Sequence, residues 1–96
     1  MPKSATPDPL EYTAAYHQGE EGWIIAEIVD FPGVASQGRT LKSAQRMIRD
    51  ALQFMAECMI EEGQPLPRPN PRAGRRKAIH TEKIPLRIRV RAGAAS

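Results

Sequence analysis

Aromatic side chains are scarce in these 96 residues: one Trp, two Tyr and two Phe make up 5% of the chain. Aliphatic residues and methionine must therefore fill most of the interior. Cysteine occurs once, at Cys58, which excludes an internal disulfide and suits a reducing compartment. No apolar run approaches the roughly 18 residues that a membrane span needs. The opening stretch MPKSATPDP lacks the apolar segment of a secretion signal, so residues 1–9 read as a disordered tail. A cytoplasmic location with no membrane contact is the expectation. Two histidines and one cysteine without ligand spacing call for no metal and no cofactor. No histidine lies near Cys58 in sequence, so nucleophilic catalysis lacks its pair and no residue is assigned as catalytic.

What the chain has is charge, unevenly placed. Residues 1–67 carry five basic and ten acidic side chains, a net −5, and residues 68–96 carry nine basic and one acidic, a net +8. An acidic body and a basic last third imply two surfaces with different partners.

Hydrophobic periodicity sets out the elements. Leu10 to Gln18 alternates as a strand, Gly19 to Gly22 is a short polar loop, and Trp23 to Val29 is a second strand, so the two form a hairpin. WIIAEIV is apolar on both faces, which predicts a central strand covered on both sides. In Asp30-Phe31-Pro32-Gly33, proline sets φ and glycine accepts a positive φ, the requirements of a type II turn. Val34 to Gln37 is a short third strand. Thr40 is a helix N-cap, and from Leu41 to about Glu62 apolar residues recur at three- and four-residue steps. Met47, Phe54 and Cys58 widen that stripe on one flank, where they either complete the core or form an association surface. Gly63 stops the helix. Residues 64–83 form a proline-rich and then basic linker, and Ile84, Leu86, Ile88 and Val90 alternate with Pro85, Arg87, Arg89 and Arg91 in a last strand. Residues 92–96 are a second tail. The fold class is α+β: one domain over 10–91 in the order β-β-β-α-β, an antiparallel-rich sheet with one helix packed on a face.

GVASQGRT, Gly33 to Thr40, comes within one lysine of a phosphate-binding loop. The flanking context does not fit: a proline turn separates it from the preceding strand, and Val34 to Ser36 suit a strand better than a cradle of amides. The two glycines read as turn residues. Glu27, Asp30 and Asp50 are the carboxylates nearest to a metal-binding set, and turn support and solvated or paired side chains account for them more simply. Arg75, Arg76, Lys77, Arg87, Arg89 and Arg91 are candidates for phosphate contact, although no aromatic stands among them to stack bases. Pairing with acids of the body or of a second subunit is the other reading of the same charges.

The hairpin, the run WIIAEIVDFPGVASQGRTLKSA and the PLPRP segment resemble the HicB-like antitoxin family. The matching residues are Tyr12, Ala26, Asp30, Phe31, Pro32, Gly33, Ser36, Gln37, Gly38, Thr40, Leu41 and Ala44, then Gly63, Pro65 and Pro67. The resemblance implies a partly degraded RNase H fold without its catalytic carboxylates, and a non-enzymatic antitoxin. Such a protein covers the active site of a small HicA-like mRNA-cleaving toxin and commonly self-associates. The chain ends soon after the last strand, so the family's further DNA-binding domain is not expected. A toxin that holds RNA is expected to be basic, so Glu27, Asp30 and Phe31 of the acidic body are the candidate contacts. The widened helix stripe and the small core predict a homo-oligomer, by symmetry a dimer. The alternative is an orphan relative that binds nucleic acid through its basic segment.

Overall fold

The computed structural model describes residues 10–70, 72 and 77–87. The two tails, four of the six candidate basic residues (Arg75, Arg76, Arg89 and Arg91) and the strand positions Ile88 and Val90 lie outside the described residues. Within them the order is β1 (Leu10–Gln18), a single 3-10 turn (Glu20–Gly22), β2 (Ile24–Ile28), β3 (Ala35–Gly38), α1 (Leu41–Glu61) and β4 (His80–Leu86). The sheet is antiparallel in the order β3-β2-β1-β4, with α1 packed on one face. This is the α+β fold that the residue pattern predicts.

Period-two alternation decides which side chains meet the helix. Tyr12, Ala14 and Tyr16 of β1, Ala26 and Ile28 of β2, and Ile84 and Leu86 of β4 point to α1. The helix answers with Ala44, Ile48, Leu52 and Ala56. Burying Ile48 and Leu52 contributes about 2 kcal/mol each relative to leaving them exposed. Phe31 and Val34 close the core from the turn, with the Phe31 ring 5.1 Å from that of Tyr12.

Local chemistry sets the element ends. Val34 N–H donates to the Phe31 carbonyl at 3.3 Å, and Gly33 between them has φ +90°, as a type II turn requires. Thr40 Oγ1 accepts from Ser43 N–H while Ser43 Oγ accepts from Thr40 N–H, a reciprocal cap at the start of α1. At the other end Gln64 N–H donates to Met59 and Gly63 N–H to Ile60, which closes the helix in a Schellman turn. The linker then turns back across the core edge, where Leu66 packs and Tyr12 Oη donates to the Pro67 carbonyl at 2.7 Å.

One boundary differs from expectation. The last strand begins at His80, four residues before Ile84, because His80 to Leu86 pair one for one with Tyr16 to Leu10. The polar run HTEK shows no alternation that would reveal this. Its side chains serve the sheet instead. Glu82 accepts a hydrogen bond from Tyr16 Oη and lies 3.4 Å from Arg49, and His80 lies beside the Tyr16 ring.

Burial raises the Tyr16 phenol well above its usual pKa, and the hydrogen bond and charge of Glu82 push the same way, partly offset by Arg49. The folded state therefore favours the protonated phenol. Its contribution is fully present below the ordinary tyrosine pKa near 10 and is lost as pH rises through the higher folded value. Tyr16→Phe is expected to cost about 1–2 kcal/mol near neutrality and to flatten the alkaline decline. Urea unfolding of both proteins between about pH 8 and 11 checks this. Parallel declines would show that the phenol is not the source.

Candidate functional site

The sheet face turned away from α1 carries the other half of the alternation. Thr13, Ala15 and His17 of β1, Ile25 and Glu27 of β2, Ala35 and Gln37 of β3, and Thr81 and Lys83 of β4 share it by register, with Trp23 and Val29 at the ends of β2. The expectation that β2 is central holds, since it is an interior strand. The expectation of cover on both sides is met on one side only: among the described residues no helix or strand packs on this second face. Trp23, Ile25 and Val29 are consequently half-exposed and Ile79, just before β4, is 53% exposed. Trp23, Ile25 and Val29 form an apolar row along β2 that no other described helix or strand covers.

Away from the β2 row most side chains on this face are polar, among them Thr13, His17, Gln37, Thr81 and Lys83. His17 Nε2 lies 3.1 Å from Glu27 Oε2 across the β1–β2 pair, and the Glu27 side chain is 48% exposed. The Arg39 guanidinium sits 4.3 Å from the centre of the Trp23 ring and donates to the Glu21 carbonyl. That cation–π contact contributes about 0.5–1 kcal/mol and holds the indole in place. Arg39, which stands where a phosphate loop has its lysine, is thus committed to Trp23. Gly38 beside it packs against the backbone of α1, with a Cβ at that position only 2.5 Å from Ala44 N. The first turn of α1 therefore closes over Gly38.

The three candidate contact residues fall in different places. Glu27 is exposed on the open face. Asp30 is buried, with Oδ1 accepting from Thr13 N–H and Oδ2 from Asn70 N–H, each at 2.9 Å. Its carboxylate caps β1 where β2 has ended and ties down the linker. Phe31 is 1% exposed and belongs to the core. Asp30 and Phe31 therefore support the turn behind the face and do not line it. Glu27, Asp30 and Asp50 do not converge, and among the described residues no group of three or more His, Cys, Asp or Glu is placed to hold a metal ion. No helix among them is long and apolar enough to cross a membrane.

Of the six basic candidates, Lys77 and Arg87 are described and both are exposed. Arg87 borders a shallow groove between α1 and β4 together with Arg49, Asp50 and Glu57, so positive and negative groups alternate there. Sequence reasoning did not single out Trp23. The signal was available in WIIAEIV, whose second apolar face has more surface than a one-helix fold can cover.

Comparison with known proteins agrees with this architecture. The family model described as HicB_like antitoxin of bacterial toxin-antitoxin system matches residues 12–83. The UPF0150 protein Ta0767 of Thermoplasma acidophilum is 28% identical over 61 residues, covering 64% of this chain and 88% of that protein. A 14.9 kDa protein from the rep-hol intergenic region of Haemophilus phage HP1 is 32% identical over 60 residues, 62% of this chain. The match spans less than half, 44%, of the phage protein. Among solved structures, the N-terminal domain of the Burkholderia pseudomallei antitoxin HicB superposes with a TM-score of 0.69 at 21% identity, over 82% of this chain and 100% of that one. A chain of the HicA3 and HicB3 toxin-antitoxin complex superposes at 0.55 with 24% identity, over 64% and 71%. These superpositions show the fold.

Proposed function

The chain belongs to the HicB-like antitoxins of bacterial toxin-antitoxin systems, and from that membership we propose that it is a non-enzymatic protein that binds a small, basic HicA-like toxin and occludes it. The observation that carries this reading is the open sheet face, an apolar row from Trp23 through Ile25 to Val29 with exposed Glu27 set into it. Such a face offers an aromatic side chain that a partner would bury, with polar groups around it, the arrangement that dominates binding energy at protein interfaces. The net −5 of residues 1–67 suits a cationic partner and speeds encounter with it. The location follows the substrate of such a toxin: messenger RNA, in the cytoplasm. The HicA3 and HicB3 complex provides a fold-level precedent for an assembly with a toxin.

The test is titration calorimetry of the full chain against a HicA-like protein encoded in the same genome. Trp23→Ser is expected to weaken binding about 30-fold, close to 2 kcal/mol, and Glu27→Lys by about tenfold through a slower on-rate as well as a lost contact. The circular dichroism of both variants should match that of the parent. An unchanged affinity in both variants, or no complex with the unmodified protein, would overturn the assignment.

The nucleic-acid reading rests on the +8 of residues 68–96. Removing that segment is an unsuitable test, since it would take β4 out of the sheet. Lys77→Glu with Arg87→Glu leaves β4 in place, and salt-sensitive RNA or DNA binding that disappears in this double variant would favour it.

A further inference from the structure

The helix carries a second apolar stripe that flanks the one meeting the sheet, shares Ala51 with its edge, and is distinct from the open sheet face. Met47 is 45% exposed and Phe54 67%, while Ala51 and Cys58 beside them are half-buried. The four follow one another at steps of four, three and four residues, the spacing of a helix–helix seam. Scattered exposed apolar residues are ordinary, but an aromatic and a thioether in one row with two small side chains form a continuous strip.

Charge along α1 points to the occupant. Lys42, Arg46 and Arg49 stand in the first half and Glu57, Glu61 and Glu62 at the end, with no acid in the first turn and no base in the last. This order opposes the helix dipole, which favours acids at the N-terminus and bases at the C-terminus. The arrangement works against an isolated helix and is complementary to an identical helix running the other way.

We propose that Met47, Ala51, Phe54 and Cys58 form the interface of a two-fold homodimer in which two copies of α1 pack antiparallel. A dyad between Leu52 and Gln53 sets Met47 against Cys58 of the second copy and Ala51 against its Phe54. Each large side chain then meets a smaller one, and the relation is self-complementary, as a two-fold interface must be. Arg46 comes level with Glu57 and Glu61 of the second copy. Asp50 also falls near that Glu57, whose charge is offset by Arg46 on its other side, midway between Glu57 and Glu61 of the second copy. A parallel pairing would instead stack Phe54 on Phe54, Cys58 on Cys58 and the acidic ends on each other. The sequence expectation of a dimer thereby acquires a surface. It leaves the Trp23 face free and does not depend on toxin binding.

Sedimentation of the full chain at tens of micromolar, under reducing conditions, is expected to show a dimer. Phe54→Glu should shift it to monomer by at least tenfold in dissociation constant, with unchanged circular dichroism and unchanged toxin affinity. Met47→Cys tests the direction. On treatment with diamide, which oxidises two thiols to a disulfide, the introduced thiol should join Cys58 of the other copy, and mass spectrometry should find the 47–58 linkage. The unmodified protein should not cross-link, because antiparallel packing keeps the two Cys58 residues about 16 Å apart along the axis. The proposal is overturned by a monomeric parent, by a dimer that Phe54→Glu leaves intact, by failure of Met47→Cys to cross-link, or by ready Cys58–Cys58 bridging in the parent.

Discussion

Gly38→Ala is expected to destabilise the protein by about 3 kcal/mol, at the upper end of what overpacking costs. A Cβ at Gly38 would stand 2.5 Å from Ala44 N and 2.9 Å from Ala44 Cα, and closer still to Ser43 Oγ. A hydroxyl rotates away; helix backbone does not. The first turn of α1 must therefore lift from β3, which loosens Ala44 and the reciprocal cap between Thr40 and Ser43. Gly33→Ala is the matched comparison. Nothing lies within 4 Å of a Cβ there, but φ is +90°, so the cost is conformational and about 1–2 kcal/mol. Urea midpoints at constant slope measure both. If Gly33→Ala is the more damaging, close packing at the strand-to-helix corner is not what demands glycine at 38.

Asp30→Ala should cost about 3 kcal/mol, because it removes a carboxylate that accepts two backbone N–H groups and leaves the buried Thr13 amide without a partner. Asp30→Asn should cost less, since the amide oxygen still accepts one bond while its NH2 faces the other donor. The two amides offer a local readout. Hydrogen exchange at Thr13 and Asn70 should accelerate in both variants beyond what the global loss of stability explains. Exchange at Asn70 that stays unchanged in Asp30→Ala would show that the linker is held by Leu66 and by the Tyr12–Pro67 bond alone.

These two positions illustrate how far the residue pattern reads. The type II turn at Phe31 to Val34, the Thr40 cap and the stop at Gly63 depend on a few neighbouring residues, so proline, threonine and glycine announce them directly. The core face of α1 follows from its period. His80 as the start of β4 does not, because HTEK becomes a strand only through pairing with β1, more than sixty residues earlier. Asp30 looked like a surface acid in a turn. Its burial depends on Asn70 returning across the core edge, a contact between residues 40 apart in sequence. Phe31 is buried in the core beside Tyr12, so of the three acidic-body candidates Glu27 alone has an exposed place.

The amino-acid order by itself determined the turns, the caps and the α+β class, because each rests on local propensity or on side-chain periodicity along one segment, and its motif residues carried the resemblance to the family. Which faces stayed open was decided only in three dimensions. One helix covers one side of a four-stranded sheet, so the second apolar side of β2, with Trp23 held by Arg39, remains at the surface. The strip from Met47 to Cys58 remains there too, because a helix presents only part of its circumference to the sheet it packs on.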